Sequence, residues 1–187
     1  MIKRLSLLYI IFFLHFSLFA QTLPEDFYVE EITGYDYSLA TGIVFDEIGR
    51  AYVLEKAGLV HIIDTNGIKT PQPLIDIHEE VGNWRDHGLL GFALDPNFYG
   101  NGHFYLLYAV DRHHLLYHGT SQYHPDSLTT FRASIGRVTR YTADPATNFT
   151  TTIPNSRKIL LGESTTTVLR VLTFITQPTM GLLGILL

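Results

Sequence analysis

The chain has 187 residues, no cysteine and a formal net charge of −5 with histidine neutral. That length holds one ordinary domain, since roughly 100–200 residues per domain is usual. The missing thiols exclude disulfide staples, thiolate metal sites and cysteine nucleophiles. The acidic balance, with no basic stripe after the first residues, argues against a nucleic-acid partner.

Residues 1–20 carry Lys3 and Arg4, then a nearly unbroken apolar run interrupted by His15 and Ser17, and close on Ala20. Basic, apolar, then small is the order of a secretory signal peptide, which places the mature chain outside the cytoplasm, secreted or periplasmic. The alternative is an uncleaved anchor, but the run is short of the ~20 residues a spanning helix needs. No membrane span is expected in the mature region.

The sequence then reads as strands. Phe27-Tyr28-Val29-Glu30-Glu31-Ile32 is rich in β-formers, and Thr41-Gly42-Ile43-Val44-Phe45 is an apolar run ending on the turn at Asp46. Ala51-Tyr52-Val53-Leu54-Glu55 follows, breaks at Gly58, and gives way to Leu59-Val60-His61-Ile62-Ile63. Short β-rich runs punctuated by Gly, Asn and Asp predict an all-β meander.

The unit recurs. Gly88-Leu89-Leu90-Gly91-Phe92-Ala93-Leu94-Asp95 echoes the run at 42–46, 102–108 echoes 50–54, and 135–141 echoes 58–63. Residues 27–32 and 73–77 are read as an outer strand preceding each unit. Four strands at a period near ~40–50 residues is the size of a propeller blade; a β-sandwich is the alternative. The inner strands, 43–45 and 89–94, are expected to be buried on both faces. Residues 111–132 form an insertion rich in His, Tyr and Ser, without helical periodicity.

Three features carry candidate chemistry. Asn83-Trp84-Arg85-Asp86-His87-Gly88 is a polar cluster just before an apolar strand; an Asp and a His there can hold a ligand or move a proton, or Asp86 caps backbone N–H groups while Trp84 packs. His113, His114, His118 and His124 lie in the insertion, where imidazoles either bind metal or fill a packed loop. Asn148-Phe149-Thr150 fits a glycosylation sequon.

The string at 88–98, followed by Asn101-Gly102-His103-Phe104-Tyr105, resembles the most recognisable signature of the glucose/sorbosone dehydrogenase family, and residues 41–58 resemble that family's first blade. The resemblance covers roughly residues 41–164. It implies a six-bladed propeller that binds pyrroloquinoline quinone (PQQ) in its channel with calcium in support, and that oxidises a sugar. It makes Arg85, Asp86 and His87 the cofactor-binding candidates.

Two departures stand out. Quinone-binding members of the family carry a glutamine two residues before the Gly-Leu-Leu, where this chain has Asp86. Their general base is a histidine soon after the segment resembled by Lys158-Ile159-Leu160-Leu161-Gly162-Glu163-Ser164, and no histidine follows that segment here. No catalytic residue and no metal-ligand set is therefore assigned. Residues 168–187 are apolar and lack strand punctuation. Read in a shifted frame, codons for 174–181 allow a polar, histidine-bearing loop and a glycine, as the family requires, which points to a frameshift after about Thr167. The expected organisation is a signal peptide at 1–20, about two blades of a propeller at 21–167 and an aberrant tail at 168–187. The function expected is a fragment of a PQQ-dependent sugar dehydrogenase, inactive by itself; the alternative is a non-catalytic extracellular propeller that binds a protein or glycan.

Overall fold

A computed structural model describes residues 24–28 and 35–163. They belong to two compact units, Met1–Gly34 and Tyr35–Leu187. The first contributes a turn closed by the Phe27 N–H on the Pro24 carbonyl at 3.1 Å. The signal-peptide segment, the tail at 168–187 and most of the strand expected at 27–32 lie outside the described residues.

Among its described residues the second unit has eight strands: β1 (Ala40–Phe45), β2 (Ala51–Glu55), β3 (Leu59–Ile63), β4 (Ile75–Asp76), β5 (Leu89–Leu94), β6 (His103–Ala109), β7 (Gly136–Thr142) and β8 (Lys158–Leu161). They form two antiparallel four-stranded sheets, ordered β1-β2-β3-β4 and β5-β6-β7-β8. Each sheet is a simple meander, so the all-β, blade-like architecture expected from the sequence is present. Both first strands carry an irregularity at the same place, between Ala40 and Gly42 in β1 and between Leu89 and Gly91 in β5.

Two short helices follow strands of the second sheet, α1 (Phe98–Asn101) and α2 (Arg112–Tyr117). The Asn-Gly of the signature ends α1. Gly102 adopts φ +69°, and a Cβ there would stand 2.5 Å from the Ala143 carbonyl oxygen, so both its conformation and its space require glycine.

The core lies where the sheets face each other. Tyr52, Leu54, Val60 and Ile62 of the first sheet join Leu89, Phe104, Leu106 and Tyr108 of the second in one buried cluster. Tyr52 stacks on Phe92 with ring centroids 5.3 Å apart, a geometry that adds about 0.5–1.5 kcal/mol beyond burial. Backbone bonds close the seam: the Leu89 N–H donates to the Lys56 carbonyl at 2.9 Å, and Thr41 Oγ1 donates to the Leu89 carbonyl at 2.8 Å. A smaller cluster, Ala51, Val53 and Ile63, packs under Tyr37 on the opposite face of the first sheet.

Three expectations are corrected. Residues 73–77 do not open the second unit; Ile75–Asp76 is the fourth strand of the first sheet, because β3 presents a free edge as the chain leaves it. The first strand of a blade is not the one buried on both faces. β1 is bonded to β2 alone and is largely exposed, whereas β2, held between β1 and β3, is buried throughout. The insertion does contain a helix: Asp111 caps α2 by accepting from the His113 and His114 N–H groups at 2.8 and 3.2 Å, which offsets the weak periodicity of that segment. Among the described residues no helix is long and apolar enough to cross a membrane.

Candidate functional site

Residues 83–88 form a turn that delivers the chain into β5. On one side it hangs from the end of β6, through the Gly82 N–H on the Ala109 carbonyl at 2.9 Å and the Ala109 N–H on the Gly88 carbonyl at 3.0 Å. On the other it touches the first sheet. A Cβ on Gly88, at φ +153°, would lie 2.8 Å from the Lys56 carbonyl oxygen, so this position admits no side chain.

The turn itself is tight. His87 N–H donates to the Trp84 carbonyl at 3.0 Å, and Arg85 takes φ +48°. The Trp84 and His87 rings meet edge to face at 4.2 Å, Trp84 tilts against Phe131 at 5.2 Å, and the Arg85 guanidinium lies over the Phe131 ring at 4.6 Å. Phe131 belongs to the insertion, so the insertion does reach the 83–88 turn. Arg85 and Asp86 are exposed and His87 is half-buried. Trp84 packs, as one reading of the sequence required, but among the described residues no donor reaches the Asp86 carboxylate. Asn83 Oδ1 and His87 Nδ1 are buried and have no partner there.

This set does not fit a quinone tricarboxylate or its calcium. The one cation on offer is the Arg85 guanidinium, already laid over Phe131, and Asp86 opposes an anion. Calcium takes six to eight oxygen ligands, and among the described residues no three His, Asp or Glu side chains converge in a metal-binding arrangement. Of the insertion histidines, His114 is buried and His113 half-buried, whereas His118 and His124 are exposed. His114 stacks on His118 at 4.4 Å and its Nδ1 meets the Tyr123 hydroxyl at 3.0 Å, while His113 Nε2 accepts from the His124 N–H at 3.0 Å.

Behind the turn lies a polar network that sequence reasoning missed. Glu80 is buried, and its Oε1 accepts from the Tyr108 hydroxyl at 2.6 Å, from Arg137 Nη1 at 2.5 Å and from Arg157. His114 Nε2 stands 4.0 Å from Oε2. Burial alone pushes the Glu80 carboxyl up, but the Tyr108 hydrogen bond and the Arg157 and Arg137 guanidiniums outweigh it and hold it below the usual range. Arg137 also donates to the Gly162 carbonyl at 2.8 Å. Glu80 thus ties the approach to the 83–88 turn to β6, β7 and the end of β8. The available signal was an arginine at a core-facing position of β7, which demands a buried acid.

A shallow cavity of about 220 Å³ opens at the other end of β5, lined by residues 45–47 and 94–99. Six residues at ~3.3 Å each separate it from the 83–88 turn, so the two are different places on the molecule.

No family model matches the chain. It is 34% identical over 67 residues to Hedgehog-interacting protein of mouse (Mus musculus) and, to the same extent, to that of human (Homo sapiens). The match takes in 34% of this chain and 10% of either relative, so the chain spans about a tenth of the curated proteins it matches. Among solved structures it is similar to the PQQ-bound form of aldose sugar dehydrogenase from Streptomyces coelicolor, with 19% identity and a TM-score of 0.43, over 59% of this chain and 26% of that one.

Proposed function

We propose that residues 21–167 are about two blades of an exported propeller of the glucose/sorbosone dehydrogenase kind, whose complete ring oxidises a sugar hydroxyl with a quinone, and that this chain by itself is inactive. The observation that carries the reading is local. The signature string at 88–105 builds β5, α1 and the start of β6, in the same meander and with the same irregularity as the family-like segment at 41–58. The signal-like start supports export.

The chain's own residues at the turn do limited work. Arg85 presents its positive charge and His87 its imidazole N–H toward a bound anion or sugar oxygen, Trp84 and Phe131 give an apolar wall, and Gly88 lets the backbone pass Lys56. In a complete ring the quinone would be held by residues of other blades and would supply the hydride chemistry. No histidine is encoded between Ser164 and Leu187, where the resemblance places the general base.

The test is dye reduction by residues 21–187 with PQQ, calcium and an aldose. No turnover above a protein-free control is expected, and turnover would overturn the reading of an inactive chain. The same assay on a complete ring is expected to show aldose-dependent turnover. The second reading, a non-catalytic propeller that binds a protein or glycan, is favoured by Asp86 in place of a glutamine and by the match to a protein named for its interaction with Hedgehog. Partner binding by the complete ring without turnover would decide for it.

A further inference from the structure

The candidate surface is made of two stretches far apart in sequence, the 83–88 turn and the end of the insertion. They meet through side chains: the Phe131 ring lies 5.2 Å from the Trp84 ring, and the Arg85 guanidinium 4.6 Å from the centre of the Phe131 ring. Burial does not account for the meeting, since Arg85 and Phe131 are exposed and Trp84 is half-buried. Arg85 and Phe131 also both take left-handed backbone, at φ +48° and +54°, a region that bulky residues avoid. Such conformations persist where surrounding contacts impose them.

The imposing contacts converge on Asp111, which is 1% exposed. Its N–H donates to the Glu80 carbonyl at 2.8 Å, shortly before the turn begins. Its Oδ2 accepts from the Thr129 N–H at 2.9 Å, shortly before Phe131. Its Oδ1 accepts from the His113 and His114 N–H groups and so starts α2. One buried residue therefore ties together the approach to the turn, the helix of the insertion and the returning chain that carries Phe131. A second clamp lies on the far side of Phe131, where Arg112 Nη1 donates to the Ala133 carbonyl at 2.7 Å. Phe131 thus projects from a short stretch held at both ends, at Thr129 and at Ala133.

We propose that Asp111 is a positioning residue for the candidate surface: it fixes where Phe131 stands, and Phe131 holds the Arg85 guanidinium and one face of Trp84 in the orientation they present to a ligand. The insertion is thereby part of the binding surface. A guanidinium free in solvent samples many rotamers, whereas one laid on a ring has already given up part of that freedom. A ligand oxygen that meets Arg85 there loses less entropy on binding. The inference rests on the reading of the 83–88 turn as ligand-facing, and not on the quinone or on sugar oxidation.

Trp84 is the one tryptophan in the sequence, so fluorescence reports on this contact directly. The experiment is carried out on the full chain without quinone, calcium or sugar. It reads Trp84 emission, its quenching by acrylamide, and the rate at which phenylglyoxal modifies Arg85, located by peptide mass. Phe131→Ala is expected to shift the emission to longer wavelength and to speed both quenching and modification, with an unchanged far-UV spectrum. Phe131→Tyr is expected to restore all three signals. Asp111→Asn is expected to move the same signals as Phe131→Ala although Phe131 is still present. Arg112→Ala, which removes only the second clamp, is expected to move them in the same direction and by less. Wild-type signals in Phe131→Ala overturn the role of Phe131. Wild-type signals in an Asp111→Asn chain that keeps its far-UV spectrum overturn the role of Asp111. Should that variant lose its β-structure, wild-type signals in Arg112→Ala overturn positioning by the insertion. Dye reduction does not enter these readouts, so the dehydrogenase reading and this inference fall separately.

Discussion

The Tyr99 hydroxyl donates to Asp46 Oδ2 at 2.6 Å, joining α1 of the second sheet to the first turn of the first. Arg50 Nε reaches the same carboxylate oxygen at 2.8 Å and passes the connection on through Nη1 to the Asn148 carbonyl at 2.7 Å. Burial pushes the Asp46 carboxyl up, yet the hydrogen bonds from Tyr99 and Arg50 leave it below its ordinary range. Burial and the carboxylate push the Tyr99 hydroxyl up to about 12. The cluster is one unit, and its removal is felt at the seam.

Tyr99→Phe is expected to lower unfolding free energy by about 1.5–3 kcal/mol, the usual worth of a hydrogen bond to a charged group. Asp46→Ala is expected to cost more, about 3–5 kcal/mol, because it strands a buried Arg50. The double variant falls short of the sum, since both changes remove the same bond. Urea midpoints of the three variants measure this.

Stability is expected to fall on acidification in two steps. Burial foremost, with His118, Arg137 and Arg157 adding and Glu80 opposing, holds the His114 imidazole below its ordinary value. His61 is lowered likewise by burial and Lys69. Each resists protonation in the folded state, so stability is complete above about 6.5, the unfolded value, and falls as pH drops toward the folded ones. Below about 4.3 the depressed Glu80 adds a second loss as pH falls through its folded value. His78, raised by its hydrogen bond to Asp76, acts in the opposite sense from the surface. His114→Phe is expected to flatten the first step and Glu80→Gln the second, read as urea midpoints against pH.

Gly88→Ala is expected to destabilise by about 1–3 kcal/mol, the usual cost of overpacking. The new methyl meets the Lys56 carbonyl and side chain and opens the Leu89 bond across the seam. Hydrogen exchange at the Leu89 amide is expected to quicken more than at Leu106 in the middle of β6.

Most of the fold was legible because strands are short, apolar and closed by turn residues; β1, β2, β3, β5, β6 and β7 follow the runs read from the sequence. The misassignments share a cause. Residues 73–77 are a short stretch of three aliphatic residues with Pro73 and Asp76, and nothing local tells whether such a stretch finishes one sheet or starts the next. The exposure of β1 depends on what stands beyond the sheet edge, which periodicity within a strand does not encode. At the candidate site, the exposed turn of Arg85, Asp86 and His87 was visible as a polar cluster before an apolar strand. Its coupling to Phe131, and the Glu80 hub behind it, join residues up to 77 positions apart and have no local signature.

The meander order has a consequence for synthesis. Among the described residues every hydrogen-bonded strand pair joins sequence neighbours, so each four-stranded sheet is complete as soon as its last strand has left the ribosome. Pairing of this kind keeps contacts local and is fast, with β6 and β7 waiting on the insertion between them. The first sheet waits only for Ile75 and Asp76, and it then offers Tyr52 and Leu54 as a template while β5 is still emerging. A nascent chain built this way grows one sheet at a time, and its most vulnerable moment comes between the completion of one sheet and the arrival of the next.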